Sequence, residues 1–149
     1  MESYRLNTNY AKALFLLSVE EAVQERVADD MRLVSGVCGE HAELRAVLKN
    51  PTIKRDKKLA IIDSLFADKL CDVSPLFMRF VLRKNREVNL AGIARRYLDF
   101  FRKANGIVLA KFATAQPVDE ETLRMASDVV ERSSGRRVEL QSKVDASIL

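Results

Sequence analysis

The chain has 149 residues, 48% of them hydrophobic and 31% charged, with 5 Gly, 3 Pro and 2 Cys, which fits one ordinary globular domain or two small ones and excludes disorder and collagen-like repeats. Its longest apolar runs, such as Ala13 to Leu17, fall far short of the roughly 20 residues a bilayer span needs, and no apolar stretch or small-residue cleavage site follows Met1-Glu2-Ser3-Tyr4-Arg5, so a cytosolic address is expected. The net charge is a modest +4, yet residues 51–105 hold 13 basic against 6 acidic side chains, an excess that suits nucleic acid, anionic lipid, an acidic partner or simply a solvated helix face.

Helical periodicity runs from Thr8 to about Asn105, punctuated into six helices. The first spans Thr8 to Glu21. The second, Ala22 to Cys38, sets Val23, Val27, Met31, Val34 and Cys38 on one stripe, with Gly36 and Gly39 marking its end. Glu43 to Lys49 forms a short third helix that stops before Asn50-Pro51, because the residue preceding proline disfavours helical backbone. The fourth, Arg55 to Phe66, buries Leu59, Ile62 and Phe66. The fifth, Ser74 to Lys84, takes Ser74 as N-cap and Pro75 at its first helical position. In the sixth, Glu87 to Ala104, Leu90, Ile93, Ala94, Tyr97, Phe101 and Ala104 form an apolar stripe.

At Gly106 the period changes. Ile107 to Ala115 suits a buried strand, broken by Pro117. Asp119 is a good N-cap for a helix ending near Gly135, and Arg137 to Val144 alternates as a half-buried strand with Val138, Leu140 and Val144 on one face. The expected fold is therefore mainly α, with a six-helix N-terminal bundle over 1–105 and a β-α-β C-terminal domain over 106–149. Two strands leave exposed edges and an uncovered face, so this tail is expected to be incomplete: cut short, disordered at its end or completed by a partner.

Catalytic chemistry is hard to find. The sequence holds no phosphate-binding Gly-x-x-x-x-Gly-Lys-Ser/Thr loop, no Gly-x-Gly-x-x-Gly after a strand and no Gly-x-Ser-x-Gly elbow. The single histidine, His41, reads as a surface or capping residue, and Cys38 with His41 supplies too few ligands for structural zinc. Asp29-Asp30 and Asp119-Glu120-Glu121 read as solvated charge rather than paired acids, and the two cysteines as unpaired. The basic runs Lys54-Arg55-Asp56-Lys57-Lys58, Arg83-Lys84-Asn85-Arg86 and Arg95-Arg96 lack interleaved aromatics for stacking, since Phe66, Phe77, Phe80, Tyr97 and Phe101 fall at core spacings. A nucleic-acid-binding helical module is nonetheless the alternative these runs support.

The apolar pattern is more informative. On the first helix Leu6, Tyr10, Ala13, Leu14 and Leu17 make one face, while Phe15, Leu16 and Val19 make another nearly opposite. The fifth helix, with Leu76, Phe77, Met78, Phe80, Val81 and Leu82, has hardly any polar side. Such helices are either central in the core or shared between the core and a partner, and the pattern leaves both open.

Asn9-Tyr10-Ala11-Lys12-Ala13-Leu14-Phe15 resembles the opening Arg-Tyr-Ala-Lys-Ala-Leu-Phe of the delta subunits of bacterial F-type ATP synthases, the family that includes the mitochondrial oligomycin-sensitivity-conferring protein. Further pieces follow in order. Asn50-Pro51 with Ile53 and Lys57-Lys58 resembles the family's Pro-x-Ile with a downstream Lys, and Asn85-Arg86 before Leu90 and Ile93 its Asn-x-Arg segment. Ala113-Thr114-Ala115-Gln116-Pro117-Val118 resembles its Thr-Ala-x-Pro-Leu stretch. Val138-Glu139-Leu140 with Val144-Asp145-Ala146-Ser147-Ile148-Leu149 resembles the run leading to a Gly-Gly turn. Asn9 stands where Arg is common, and Asn85 and Arg86 are adjacent, without the Gly often found between them.

The resemblance implies a six-helix N-terminal domain and a mechanical role without a cofactor, in which the chain joins the catalytic head to the peripheral stalk at the cytoplasmic face of the bacterial inner membrane. It also implies that the N-terminal amphipathic helix of an alpha subunit lies between the first and fifth helices, lined by Leu6, Tyr10, Ala13 and Leu17 with Leu76 and Phe80. The C-terminal domain would meet the b subunits.

Overall fold

The computed structural model describes residues 2–145 and 147. Ala146, Ile148 and Leu149, quoted above in the run toward a Gly-Gly turn, lie outside the described residues. The fold is mainly helical, with one small parallel sheet toward the C-terminus. The chain divides into two compact units, residues 1–101 and 102–149.

In the first unit α1 spans Glu2–Glu20, α2 Gln24–Glu40, α3 Ala42–Lys49, α4 Arg55–Phe66 and α5 Val73–Arg83. A single 3-10 turn, Glu87–Asn89, then leads into α6, Leu90–Ala104, which continues past the division. The core is built from the inner stripes of these helices. Leu14, Val27, Val34, Val81, Leu82, Ile93 and Tyr97 are each no more than 2% exposed. Tyr97 is the largest of the fully buried side chains, and its hydroxyl is satisfied inside. It can donate to the Gln24 carbonyl at 2.9 Å or to Ser18 Oγ at 3.0 Å, while Ser18 Oγ donates to the Phe15 carbonyl at 2.7 Å. Burial raises the Tyr97 hydroxyl above its ordinary pKa.

Several boundaries differ from the sequence reading for local reasons. α1 starts at Glu2 rather than Thr8; Thr8 Oγ1 donates to the Tyr4 carbonyl at 2.8 Å, and the Tyr4 ring lies 4.7 Å under the Arg96 guanidinium. α2 runs through Gly36 and Gly39 to Glu40 because Val34 and Cys38 are buried and anchor its last turns. Arg45 then closes that end, donating to the carbonyls of Cys38 at 2.7 Å and Gly39 at 2.8 Å. α5 begins at Val73 with Asp72 in the N-cap position, so Ser74 lies inside the helix with its hydroxyl turned inward. On α4 the buried stripe is Lys58, Ile62 and Phe66, while Leu59 is only half-buried.

The second unit holds β1, Val108–Thr114, then α7, Glu120–Ser134, then β2, Val138–Val144. The strands pair in parallel, from Val108 opposite Val138 to Thr114 opposite Val144, with α7 as the crossover that a parallel pair requires. Asp119 caps α7, accepting from the Thr122 N–H at 2.8 Å, and Gly135 at φ 69° ends it. Arg102 Nε donates to Glu139 Oε2 at 3.1 Å, and Glu131 Oε1 accepts from the Val138 N–H at 3.2 Å. β1 is half-buried rather than buried, because a two-stranded sheet covers too little of either face. Burial along β2 fades from Val138 at 8% exposed to Val144 at 52%.

Candidate interaction face on α1 and α5

The inner side of α1 is given to the core through Ala11, Leu14 and Ser18, each at most 2% exposed. Leu6, Tyr10, Ala13 and Leu17 recur at spacings of three and four and form an adjoining stripe left partly open: Leu6 and Tyr10 are half-buried, Ala13 is exposed and Leu17 is 39% exposed. α5 divides the same way. Ser74, Phe77, Met78, Val81 and Leu82 face the core, whereas Leu76 and Phe80, one turn apart, are 65% and 41% exposed.

The bridge between the helices is aromatic. The Tyr10 and Phe80 rings lie 5.9 Å apart at 51°, and Phe77 supports Phe80 edge-on at 6.4 Å. Lys84 Nζ stands 5.7 Å over the Phe80 ring. Ala13 and Leu17 extend the stripe along α1, and Leu76 extends it along α5. The second apolar face of α1 splits up. Phe15 turns to α6, 5.8 Å from Tyr97 and 6.2 Å from Phe100, while Leu16 and Val19 stay 58% and 45% exposed.

A buried acid seats the start of α5. Asp30 Oδ2 accepts from Ser74 Oγ at 2.7 Å and from the Cys71 N–H at 3.0 Å. This corrects the reading of Asp29-Asp30 as solvated charge: Asp30 is 6% exposed, whereas Asp29 is exposed and paired with Arg32. The signal was present in the spacing, since Asp30 lies three residues after Val27 and four before Val34, on the buried stripe. Lys58 is corrected likewise. It is 5% exposed, four residues before Ile62, and its Nζ donates to Glu87 Oε1 at 2.8 Å and to the Leu48 carbonyl at 3.1 Å.

The remaining polar candidates stand apart. His41 is exposed at the junction of α2 and α3, and Cys38 and Cys71 are buried free thiols. Burial raises the Cys38 thiol above its ordinary pKa, which disfavours the reactive thiolate. Among the described residues no group of three or more His, Cys, Asp or Glu side chains could hold a metal ion. The basic runs do separate tasks: Arg55 donates to Asn85 Oδ1 at 3.1 Å, Lys58 pairs with Glu87, and Arg96 stacks on Tyr4 and donates to Asp99 at 2.6 Å.

The family model of the ATP synthase delta (OSCP) subunit matches residues 6–149. The ATP synthase subunit delta of Cytophaga hutchinsonii is 32% identical over 149 residues, covering 100% of this chain and 81% of the relative. That of Bacteroides thetaiotaomicron is 35% identical over 151 residues, covering 99% and 81%. A chain in the cryo-EM structure of the Toxoplasma gondii mitochondrial ATP synthase hexamer shares the fold at a TM-score of 0.75 and 19% identity, covering 95% of this chain and 79% of that one. The nucleic-acid alternative gains no support from these matches. With the family model covering all but the first five residues and relatives aligned along the whole chain, the protein belongs to the ATP synthase delta (OSCP) subunit family.

Proposed function

We propose that this family member is a peripheral-stalk (stator) subunit of a proton-transporting F-type ATP synthase and acts mechanically, holding the catalytic head against rotor torque without catalysing ATP synthesis itself. Its α1/α5 face takes the N-terminal amphipathic helix of the alpha subunit, and residues 106–149 meet the b subunits. The observation that carries this reading is the Tyr10–Phe80 bridge, which joins two helices whose inner sides already serve the core and whose outer Leu17, Leu76 and Phe80 are 39%, 65% and 41% exposed. An amphipathic helix laid in such an apolar groove buries its anchors at i, i+3, i+4 and i+7, which suits the two stripes. In this reading the chain reaches the cytoplasmic face of the inner membrane through the complex; among the described residues no helix is long and apolar enough to cross a membrane.

The test is calorimetric titration of the chain with a synthetic peptide of about the first twenty residues of the alpha subunit from the same organism, with random duplex DNA as control. One-to-one peptide binding with a negative heat-capacity change is expected, and Phe80→Ala should weaken it by about 1–4 kcal/mol. A folded Phe80→Ala protein that binds the peptide unchanged rejects the groove. Absence of peptide binding together with steeply salt-dependent DNA binding restores the nucleic-acid reading.

A further inference from the structure

We infer that the α1/α5 face ends in a cationic notch, built from Arg5 and Arg86, that receives a carboxylate of the docked helix and so selects an occupant with an acidic side chain at that end. The inference rests on the groove reading above and adds the partner's charge pattern to it.

The notch follows from how α5 ends. Asn85 adopts φ 57°, the Asn85 N–H donates to the Leu82 carbonyl at 2.9 Å and the Arg86 N–H donates to the Val81 carbonyl at 3.0 Å. These paired bonds form a Schellman closure, with asparagine supplying the left-handed residue. The guanidinium of Arg55 steadies the turn through Asn85 Oδ1. The chain thereby reverses and brings Arg86 and Asn89 beside the first turns of α1. Arg5, Leu6, Asn9, Tyr10, Arg86 and Asn89 line one cavity of about 560 Å³. Tyr10 belongs both to this cavity and to the aromatic bridge with Phe80, so the polar notch is continuous with the apolar face.

Its chemistry is one-signed. Among the described residues the lining holds two guanidinium groups, two side-chain amides and the Ser3 hydroxyl, and no carboxylate. Among the described residues neither Arg5 nor Arg86 has an ion-pair partner, whereas Arg32, Lys58, Arg79, Arg96 and Arg102 are each matched to an acid. α5 itself carries no acidic side chain, and Arg83 in its last turn and Lys84 at its C-cap add positive charge just before the turn at Asn85. A helix that seats apolar anchors on Tyr10 and Phe80 therefore meets unneutralised positive charge at the Leu6 end. Guanidinium forks favour a carboxylate there, and charge at the rim of an interface acts mainly on association rate, salt dependence and choice of partner.

The experiment uses the whole chain and two probes: the alpha N-terminal peptide and the same peptide with its Asp and Glu residues replaced by Asn and Gln. Each is titrated into the unaltered chain, Phe80→Ala and the double variant Arg5→Gln/Arg86→Gln, at low salt and near 1 M salt, where charges are screened beyond about 3 Å. Arg5 and Arg86 are exposed, and circular dichroism of the double variant checks that it folds. The double variant should bind the acidic peptide about three- to tenfold more weakly at low salt, with the difference vanishing at high salt and absent for the amide peptide. Equal affinities of the two peptides for the unaltered chain, with Phe80→Ala still weakened, overturn the notch and leave the groove standing. Binding that Phe80→Ala leaves unchanged, or no binding by either peptide, removes the groove and the notch with it.

Discussion

Ser74 Oγ donates to Asp30 Oδ2 across 2.7 Å, fastening the first turn of α5 to the middle of α2 in a site that exposes 6% of Asp30 and none of Ser74. The same carboxylate oxygen takes the Cys71 N–H at 3.0 Å. Leu76 follows two residues later and Phe80 one turn beyond, so this anchor fixes the outward face of α5.

Removing the carboxylate leaves a buried hydroxyl and a buried N–H without their acceptor. Asp30→Ala should therefore cost about 2–3 kcal/mol, more than the roughly 1 kcal/mol expected for Ser74→Ala. Chemical denaturation of the two single variants and the double variant measures the coupling. A double variant whose loss equals the sum of the singles would show that the two side chains do not act as a pair.

The Lys58–Glu87 ion pair has side chains only 5% and 12% exposed, so breaking it from one side strands a charge. Glu87→Ala should destabilise by about 3 kcal/mol, since the Lys58 ammonium would keep only the Leu48 carbonyl. Lys58→Met with Glu87→Leu should recover most of that loss, because an apolar pair of similar volume needs no charge compensation. Denaturation midpoints of the two proteins decide it. A double variant no more stable than Glu87→Ala would refute this account.

Much of the fold was legible because the core stripes are periodic. Leu90, Ile93, Ala94, Tyr97 and Phe101 all lie where the spacing put them, and the capping of α7 by Asp119 follows from local chemistry alone. Reading failed where residue type and position disagreed. Asp30 and Lys58 occupy core positions on their helices, but composition argued for solvent, and only their distant partners Ser74 and Glu87 make burial tolerable. Gly36 and Gly39 look like a helix end by residue type, yet both sit on an exposed face, where a glycine costs about 1 kcal/mol and the buried Val34 and Cys38 hold the helix on. For the α1/α5 face, the stripes were visible in the sequence. Which apolar residues stayed outside was not, because periodicity gives a residue's direction on its own helix and not what packs against it. Arg5 and Arg86 are 81 positions apart and meet only through the turn that Asn85 makes.

Asn85 at the end of α5 has a counterpart at the end of α1 that is less well suited. There the Ala22 N–H donates to the Val19 carbonyl at 3.1 Å and the Val23 N–H to the Ser18 carbonyl at 2.9 Å, with Ala22 at φ 56°. Ala22 is exposed and its Cβ gains no buried packing to offset a left-handed backbone. Ala22→Gly should stabilise the chain by about 0.5–1 kcal/mol. An unchanged or lower denaturation midpoint would mean that the entropy lost by glycine outweighs the strain relieved.

The cap of α7 gives a prediction in pH. The Thr122 hydroxyl and N–H both hold the Asp119 carboxyl below its ordinary value of 3.8, by hydrogen bonds to the ionised form. An acid whose pKa is lower folded than unfolded adds stability above the unfolded value, and that contribution is lost as pH falls through the folded one. The start of α7 should therefore stay capped at pH 4 and loosen only below it. The Thr122 amide chemical shift, followed by NMR down to about pH 2, should titrate with a midpoint under 3.8, and that titration should vanish in Asp119→Ala. A midpoint at or above 3.8 would contradict the cap, because a carboxylate that accepts the Thr122 N–H at 2.8 Å must give up that bond to take a proton.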